Sequence, residues 1–311
     1  MAQPIPSAAV IQTLLYPDLP ALRSFMLPAG EGHVLQVEEW GHPDGIPALV
    51  LHGGPGSGCS PLLRRFFDPQ RFRVICPDQR GAGRSTPAGA LEDNSTDRLL
   101  ADLRALRQAL GVARWLVVGG SWGATLALAH ALDAPEAVAG LLLRSTFLAR
   151  AEDIDGFFRD APEPLASRWR TLPEAGPIEA RTLAQAWRAW ERKMSGLEAG
   201  PAPDEQALDT LVARYRIQSH YLRQGCWLQR PDLLERCADL PAVPTLLLHG
   251  TADQVCPADG ATALHARLPK STLAWAEQAG HDPAHPRMVQ AMVQALDRFA
   301  TQGSFETRVA A

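Results

Sequence analysis

Cysteine is scarce in this 311-residue chain. The five present, Cys59, Cys76, Cys226, Cys237 and Cys256, are scattered, odd in number and never paired as CxxC. Such spacing gives neither a disulfide framework nor a zinc site, and it fits a reducing compartment. Most of these residues read as small buried hydrophobes. No apolar run approaches the roughly 20 residues of a membrane span, so no membrane partner is expected. The first basic residue is Arg23. The stretch before it therefore lacks the positive region that opens a secretory leader, and a cytoplasmic protein is expected. Basic excess is missing as well. A net charge of −4 offers no basic stripe, which argues against a nucleic-acid partner.

What is present describes a globular chain. The hydrophobic fraction is 46% and the charged fraction 21%, with length enough for one large α/β domain carrying an insertion, or for two ordinary domains. Short apolar runs end in loop signals at 48–52, 72–76, 115–118, 141–144 and 244–249. Continuous apolar strands with helices between them predict a parallel sheet covered on both faces. Between two of them, residues 97–110 carry Leu99, Leu103, Leu106 and Leu110 on one helical stripe. Residues 24–27 and 33–40, separated by Gly30 and Gly32, predict an antiparallel hairpin at the sheet edge. The strand rhythm stops after Phe147 and resumes near Pro241. The expected organisation is an α/β core of residues 1–147 plus 241–311, with an all-helical insertion at 148–240.

One serine stands out. Ser121 sits between glycines in Gly119-Gly-Ser-Trp-Gly123, directly after the apolar run 115–118. The frame fits G-x-S-x-G, in which glycines are needed because the serine occupies a cramped strand-to-helix turn. A serine hydroxyl is a poor nucleophile without a histidine to take its proton and an acid to orient that histidine. In this fold the order along the chain is serine, acid, histidine. Asp253 falls in the loop after the run 244–249, and His281 follows the run 272–275. Asp259 and Asp282 are weaker candidates for the acid. Two backbone N–H groups must also face the developing oxyanion. Trp122 supplies one at the start of the next helix, and the loop His52-Gly-Gly-Pro-Gly56 supplies the other from Gly54, with Gly53 as the near alternative.

Other uses of these residues fit poorly. Gly81 and Gly83 begin a G-x-G but lack the third glycine, and neither glycine loop has the Gly-Lys-Ser/Thr ending of a phosphate loop. His281 and His285 are four apart, yet Pro283 lies between them and no Glu follows the first, so a zinc helix is not expected.

Taken together, His52-Gly-Gly-Pro-Gly56, Asp78-Gln-Arg-Gly-Ala-Gly-Arg-Ser85, Gly119-Gly-Ser-Trp-Gly-Ala-Thr-Leu-Ala127, Asp253-Gln-Val-Cys-Pro257 and Gly280-His281 resemble the proline iminopeptidases, serine peptidases of the α/β-hydrolase fold. Ala186-Trp-Arg-Ala-Trp-Glu191 extends the likeness into the insertion. The resemblance implies a helical cap over the active site, no metal or cofactor, and a small-molecule or short-peptide substrate with an N-terminal proline; no oligomeric state follows from it. It also implies cap carboxylates that hold the charged imine nitrogen. Here Gln218 stands where one such glutamate is expected, and Gln229 where a second acid is expected. Removing one member of an enclosed charge pair typically costs about 2–5 kcal/mol, or roughly thirtyfold to several thousandfold in affinity.

Three interpretations follow. Another acid, among Glu152, Asp153, Asp155 and Glu191, binds the amine; or the pocket takes neutral or N-blocked substrates, as an esterase or amidase; or the fold only binds a ligand. The full set of candidate residues disfavours the last. Phe147 and the cap tryptophans are candidates for enclosing a proline ring, although packing of the cap explains them equally well. Tyr221 and His220 match family positions and either line the pocket or tie the cap down.

Overall fold

The computed structural model describes residues 8–306. After helix α1 (Ala8–Leu14) come strands β1 (Arg23–Gly30), β2 (His33–Gly41) and β3 (Ile46–Leu51), helix α2 (Pro61–Arg64) and β4 (Phe72–Pro77). The next stretch is α3 (Thr96–Leu110), β5 (Trp115–Gly120), α4 (Trp122–Asp133) and β6 (Val138–Arg144). Five helices then follow without a strand: α5 (Ala151–Phe158), α6 (Leu165–Trp169), α7 (Pro177–Met194), α8 (Glu205–Arg223) and α9 (Leu233–Arg236). The chain closes with β7 (Thr245–Gly250), α10 (Asp259–Arg267), β8 (Thr272–Ala276) and α11 (Pro286–Gln302).

The eight strands form one sheet in the order β1-β2-β4-β3-β5-β6-β7-β8. β1 and β2 pair antiparallel, as do β2 and β4, while every pairing from β4 to β8 is parallel. The predicted hairpin is therefore present at the edge. Alternation along the central strands sorts the core into two layers, because successive side chains leave opposite faces. Leu49, Leu51, Val117, Leu141, Leu143 and Leu247 meet α3 and α4 on one face. Their neighbours Ala48, Val50, Leu116, Val118, Leu142 and Leu248 meet α11, through Met288, Met292, Leu296 and Phe299, on the other.

The α3 stripe buries Leu99, Leu103 and Leu106 and ends at Gly111, whose φ of 62° forms a left-handed cap. The first core layer runs on into the segment between β6 and β7. Trp169, Trp187 and Tyr215 there are fully buried, and Trp169 and Trp187 stack with ring centroids 4.7 Å apart. These tryptophans pack the helices together, which is the packing alternative of the two read from the sequence. Among the described residues no helix is long and apolar enough to cross a membrane.

Chain direction fixes where a site can form. From β3 the path moves to β4 on one side, then returns to β5 on the other. Loops leaving the carboxyl ends of β3 and β5 diverge there and open a crevice. The His52–Gly56 loop and Ser121 occupy that position.

Candidate active site

Ser121 caps the N-terminus of α4 with φ 56° and ψ −124°, a conformation that non-glycine residues seldom hold. Its surroundings impose it. A β-carbon on Gly119 would land on the Gly123 carbonyl, and one on Gly123 would land on the Leu51 carbonyl oxygen of β3. Only glycine lets β5, α4 and β3 approach so closely. The Ser121 N–H donates to the Arg144 carbonyl at 3.0 Å, tying the turn to the end of β6. The Oγ has Cys256 Sγ 3.9 Å away.

Asp253 lies in the loop after β7 and is fixed from below, where its Oδ1 accepts from the Val255 and Cys256 N–H groups at 3.0 and 2.9 Å. Its Oδ2 meets His281 Nδ1 at 3.0 Å. Burial works to raise the Asp253 pKa, but the facing imidazole and these N–H donors hold it below the usual carboxylate range. Burial would depress His281; the Asp253 carboxylate, with Cys256 beside it, outweighs that and pushes the imidazole up to about 10. Asp259 instead pairs with Arg150, and the Asp282 carboxylate caps the Ala284 N–H.

A second group of bonds joins the glycine loop to the turn. His52 Nδ1 donates to the Gly53 carbonyl at 2.9 Å, while its Nε2 accepts from the Gln79 N–H at 3.0 Å. That pattern requires a neutral imidazole, and burial lowers the His52 pKa accordingly. Gln79 Nε2 donates to the His52 carbonyl, and its Oε1 accepts from the Trp122 indole at 2.8 Å. One glutamine thus clamps the loops after β3 and β4 to α4. A β-carbon on Gly53 would stand 3.5 Å from Ser121 Cβ, so the glycine loop lies directly against the serine.

Ser121, His281, Gly53, Gly54, Phe147 and Gln218 all line one cavity of about 380 Å³. Asp253 lies behind His281, and the fully buried Trp122 side chain points away into the core. Two expected pocket residues are placed elsewhere. Tyr221 is fully buried, with its ring 5.0 Å from that of Trp122 and its hydroxyl donating to Asn94 Oδ1, so it supports the turn from behind. Gln229 is exposed in the bridge with Asp232 and packs on Gly225. Gln218 lines the cavity with Arg214 and Leu222 of the same helix, whereas Tyr221, at the edge of that face, packs on Trp122 instead.

Gln218 is 3% exposed. Its Nε2 donates to the Gly54 carbonyl at 2.7 Å, and its Oε1 is buried with no hydrogen-bond partner among the described residues. Of the alternative acids, Glu191 alone lines the cavity, with its Oε2 accepting from Arg214 Nη2 at 3.0 Å and the Tyr215 hydroxyl at 2.9 Å. Glu152 and Asp153 pair with Arg150, and Asp155 is exposed away from the cavity.

The sequence reading assigned no role to Gln79, Arg144, Cys256, Arg188, Arg192 or Arg214. Only the i,i+4 spacing of 188 and 192 beside Trp187 and Glu191 was a usable signal that they share a face. Among the described residues no three His, Cys, Asp or Glu side chains converge in a way that could hold a metal ion.

Residues 47–286 match the α/β-hydrolase fold family. The chain is 37% identical to a probable proline iminopeptidase of Leptolyngbya boryana, over 93% of this chain and 97% of that one. It is 38% identical to the proline iminopeptidase of Neisseria meningitidis, over 87% and 94%. The crystal structure of VinJ superposes with a TM-score of 0.68 at 21% identity, covering 89% of this chain and 99% of that one, a likeness of fold.

Proposed function

The chain belongs to the proline iminopeptidase family of α/β-hydrolases, and from that premise we propose that it removes an N-terminal proline from short peptides or amides through an acyl-enzyme. The carrying observation is the strained Ser121 turn facing the His281–Asp253 pair across one cavity. In this reading the core is residues 1–147 and 241–311, and residues 148–240 form a cap over the cavity.

Ser121 Oγ attacks the proline carbonyl while His281 Nε2 takes its proton. The side chain turns from Cys256 toward the imidazole to do so, since such contacts tighten only when substrate is bound. Asp253 holds Nδ1–H and stabilises the imidazolium that forms. The N–H groups of Trp122 and Gly54 receive the oxyanion, each worth about 3–4 kcal/mol of transition-state stabilisation. His281 then protonates the leaving amine, and water attacks the ester on the same path. The proline ring lies by Phe147, and its nitrogen donates to Gln218 Oε1, the buried acceptor left without a partner. The relatives do not favour the esterase or neutral-amide alternative.

The test is hydrolysis of a proline anilide with a free amine and of its N-acetylated counterpart. The free amine is expected to be preferred by tenfold or more in kcat/KM. Ser121→Ala is expected to lose roughly 10⁴- to 10⁶-fold. Equal turnover of the acetylated substrate would remove the aminopeptidase assignment, and an active Ser121→Ala protein would remove the mechanism.

A further inference from the structure

The charge lining the cavity is unbalanced. Arg144, Arg188, Arg192 and Arg214 face it, against the carboxylates of Glu191 and Asp282. Glu191 is already engaged by Arg214. Arg188 and Arg192 have no carboxylate within ion-pair distance among the described residues. Each is anchored instead by one backbone carbonyl from the connection between α7 and α8. Arg188 Nη1 donates to the Pro201 carbonyl at 3.2 Å, and Arg192 Nε donates to the Glu198 carbonyl at 2.7 Å. A guanidinium has five N–H donors in a planar fork, so each retains donors that a carbonyl bond does not use.

Their place on the helix gives this charge a direction. Residues 188, 191, 192 and 195 follow the three- and four-residue steps of one helical face, and all four line the cavity. The end of that face comes down on the histidine loop: the Ser195 carbonyl oxygen lies 3.6 Å from where a Gly280 β-carbon would stand, one residue before His281. His281 is the group that hands a proton to the leaving amine, so the departing part of the substrate lies on this side.

We infer that Arg188 and Arg192 form an anion subsite for the leaving portion of the substrate, and that the preferred substrates are very short peptides whose free C-terminal carboxylate reaches them. This inference deepens the peptidase reading and rests on it. Two fixed guanidiniums with unused donors suit a carboxylate, which accepts bidentate bonds. A neutral amide at the same place gains no charge-assisted bond and leaves the cationic wall uncompensated.

The experiment compares Pro-Gly with Pro-Gly amide, which differ only at the carboxyl end. In the wild-type protein kcat/KM for the free acid is expected to exceed that for the amide by at least tenfold. In Arg188→Gln/Arg192→Gln the ratio is expected to fall within twofold of one. Arg192→Lys, which keeps charge and stem, should retain most of the preference and so separates lost charge from lost packing. A wild-type ratio near one overturns the subsite. A tenfold ratio that survives in the double variant overturns its assignment to these arginines. Binding of the same pair to Ser121→Ala by calorimetry reads the subsite without turnover. Tenfold tighter binding of Pro-Gly, with neither peptide nor a proline anilide cleaved by the wild-type protein, would end the peptidase reading and leave the subsite standing. Equal binding overturns the subsite whatever is cleaved.

Discussion

Below the cavity, Ser121, Asp253 and His281 come from the ends of β5, β7 and β8; above it, Gln218, Glu191, Arg188, Arg192 and Arg214 come from α7 and α8. The lower set is fixed by backbone. Carbonyls of β3 and α4 occupy the space a side chain at Gly119 or Gly123 would need, and two N–H groups hold Asp253 from beneath. The upper set is carried by side chains of two helices that pack together through the buried Leu183, Trp187 and Tyr215, and Tyr215 also reaches the cavity wall. In the proposed reading, chemistry is confined to positions where few residues fit, whereas specificity rests on side chains that the backbone does not constrain. Gln218 joins the two regions through its bond to the Gly54 carbonyl.

The largest expected effect tests the lower set. Asp253→Asn should lower kcat by about 10⁴-fold, by analogy with the loss of tautomer control in other triads, with little change in KM. A pH profile sharpens this. Turnover needs the neutral imidazole, so kcat/KM should rise with pH through a value well above the ordinary His value of about 6.5, toward the raised value near 10. Removing the Asp253 charge takes away the largest influence that raises His281 against burial, so in Asp253→Asn the rise should move to lower pH. A limb at the same pH in both proteins would break the assignment of Asp253.

Gly123→Ala should act on folding as well as rate. The new methyl meets the Leu51 carbonyl, and overpacking of this kind costs about 1–3 kcal/mol or more. A thermal midpoint equal to that of the wild-type protein would show that the turn is not sterically fixed. Gln218→Leu probes the junction. Losing the donor to a buried carbonyl costs about 1–3 kcal/mol, so kcat/KM on a proline anilide should fall by roughly 5- to 150-fold, with kcat affected because the Gly54 loop loosens. A change confined to KM would place Gln218 wholly with the upper set. The smallest effect is expected at the exposed Arg181–Asp209 pair between α7 and α8. Arg181→Ala should shift stability by less than about 1 kcal/mol and leave turnover on the anilide unchanged; a large loss would mean that the helices depend on surface charge.

Much of the lower set was legible in sequence because its signals are local. Gly119 and Gly123 flank Ser121 at fixed offsets, and apolar runs announce the strands that place Asp253 and His281. The upper set was read less well. Gln218 reaches the cavity, but Tyr221, three residues on, turns behind Trp122, and Gln229 lies in a separate bridge. Those outcomes depend on how α8 is rotated against α4 and the glycine loop, and contacts spanning more than a hundred residues set that rotation.

By itself the sequence determined the alternation of strands and helices, the place of the strained Ser121 turn and the loops that carry Asp253 and His281, since steric exclusion by glycine and period-two burial act between near neighbours. Tertiary structure alone decided which charges share the cavity. Glu191 meets Arg214 across two helices, Gln79 clamps two loops to α4, and Arg188 and Arg192 have no carboxylate partner among the described residues. Charge pairing falls off with distance in space rather than along the chain, so only the folded arrangement could say which ions are matched and which remain for a substrate.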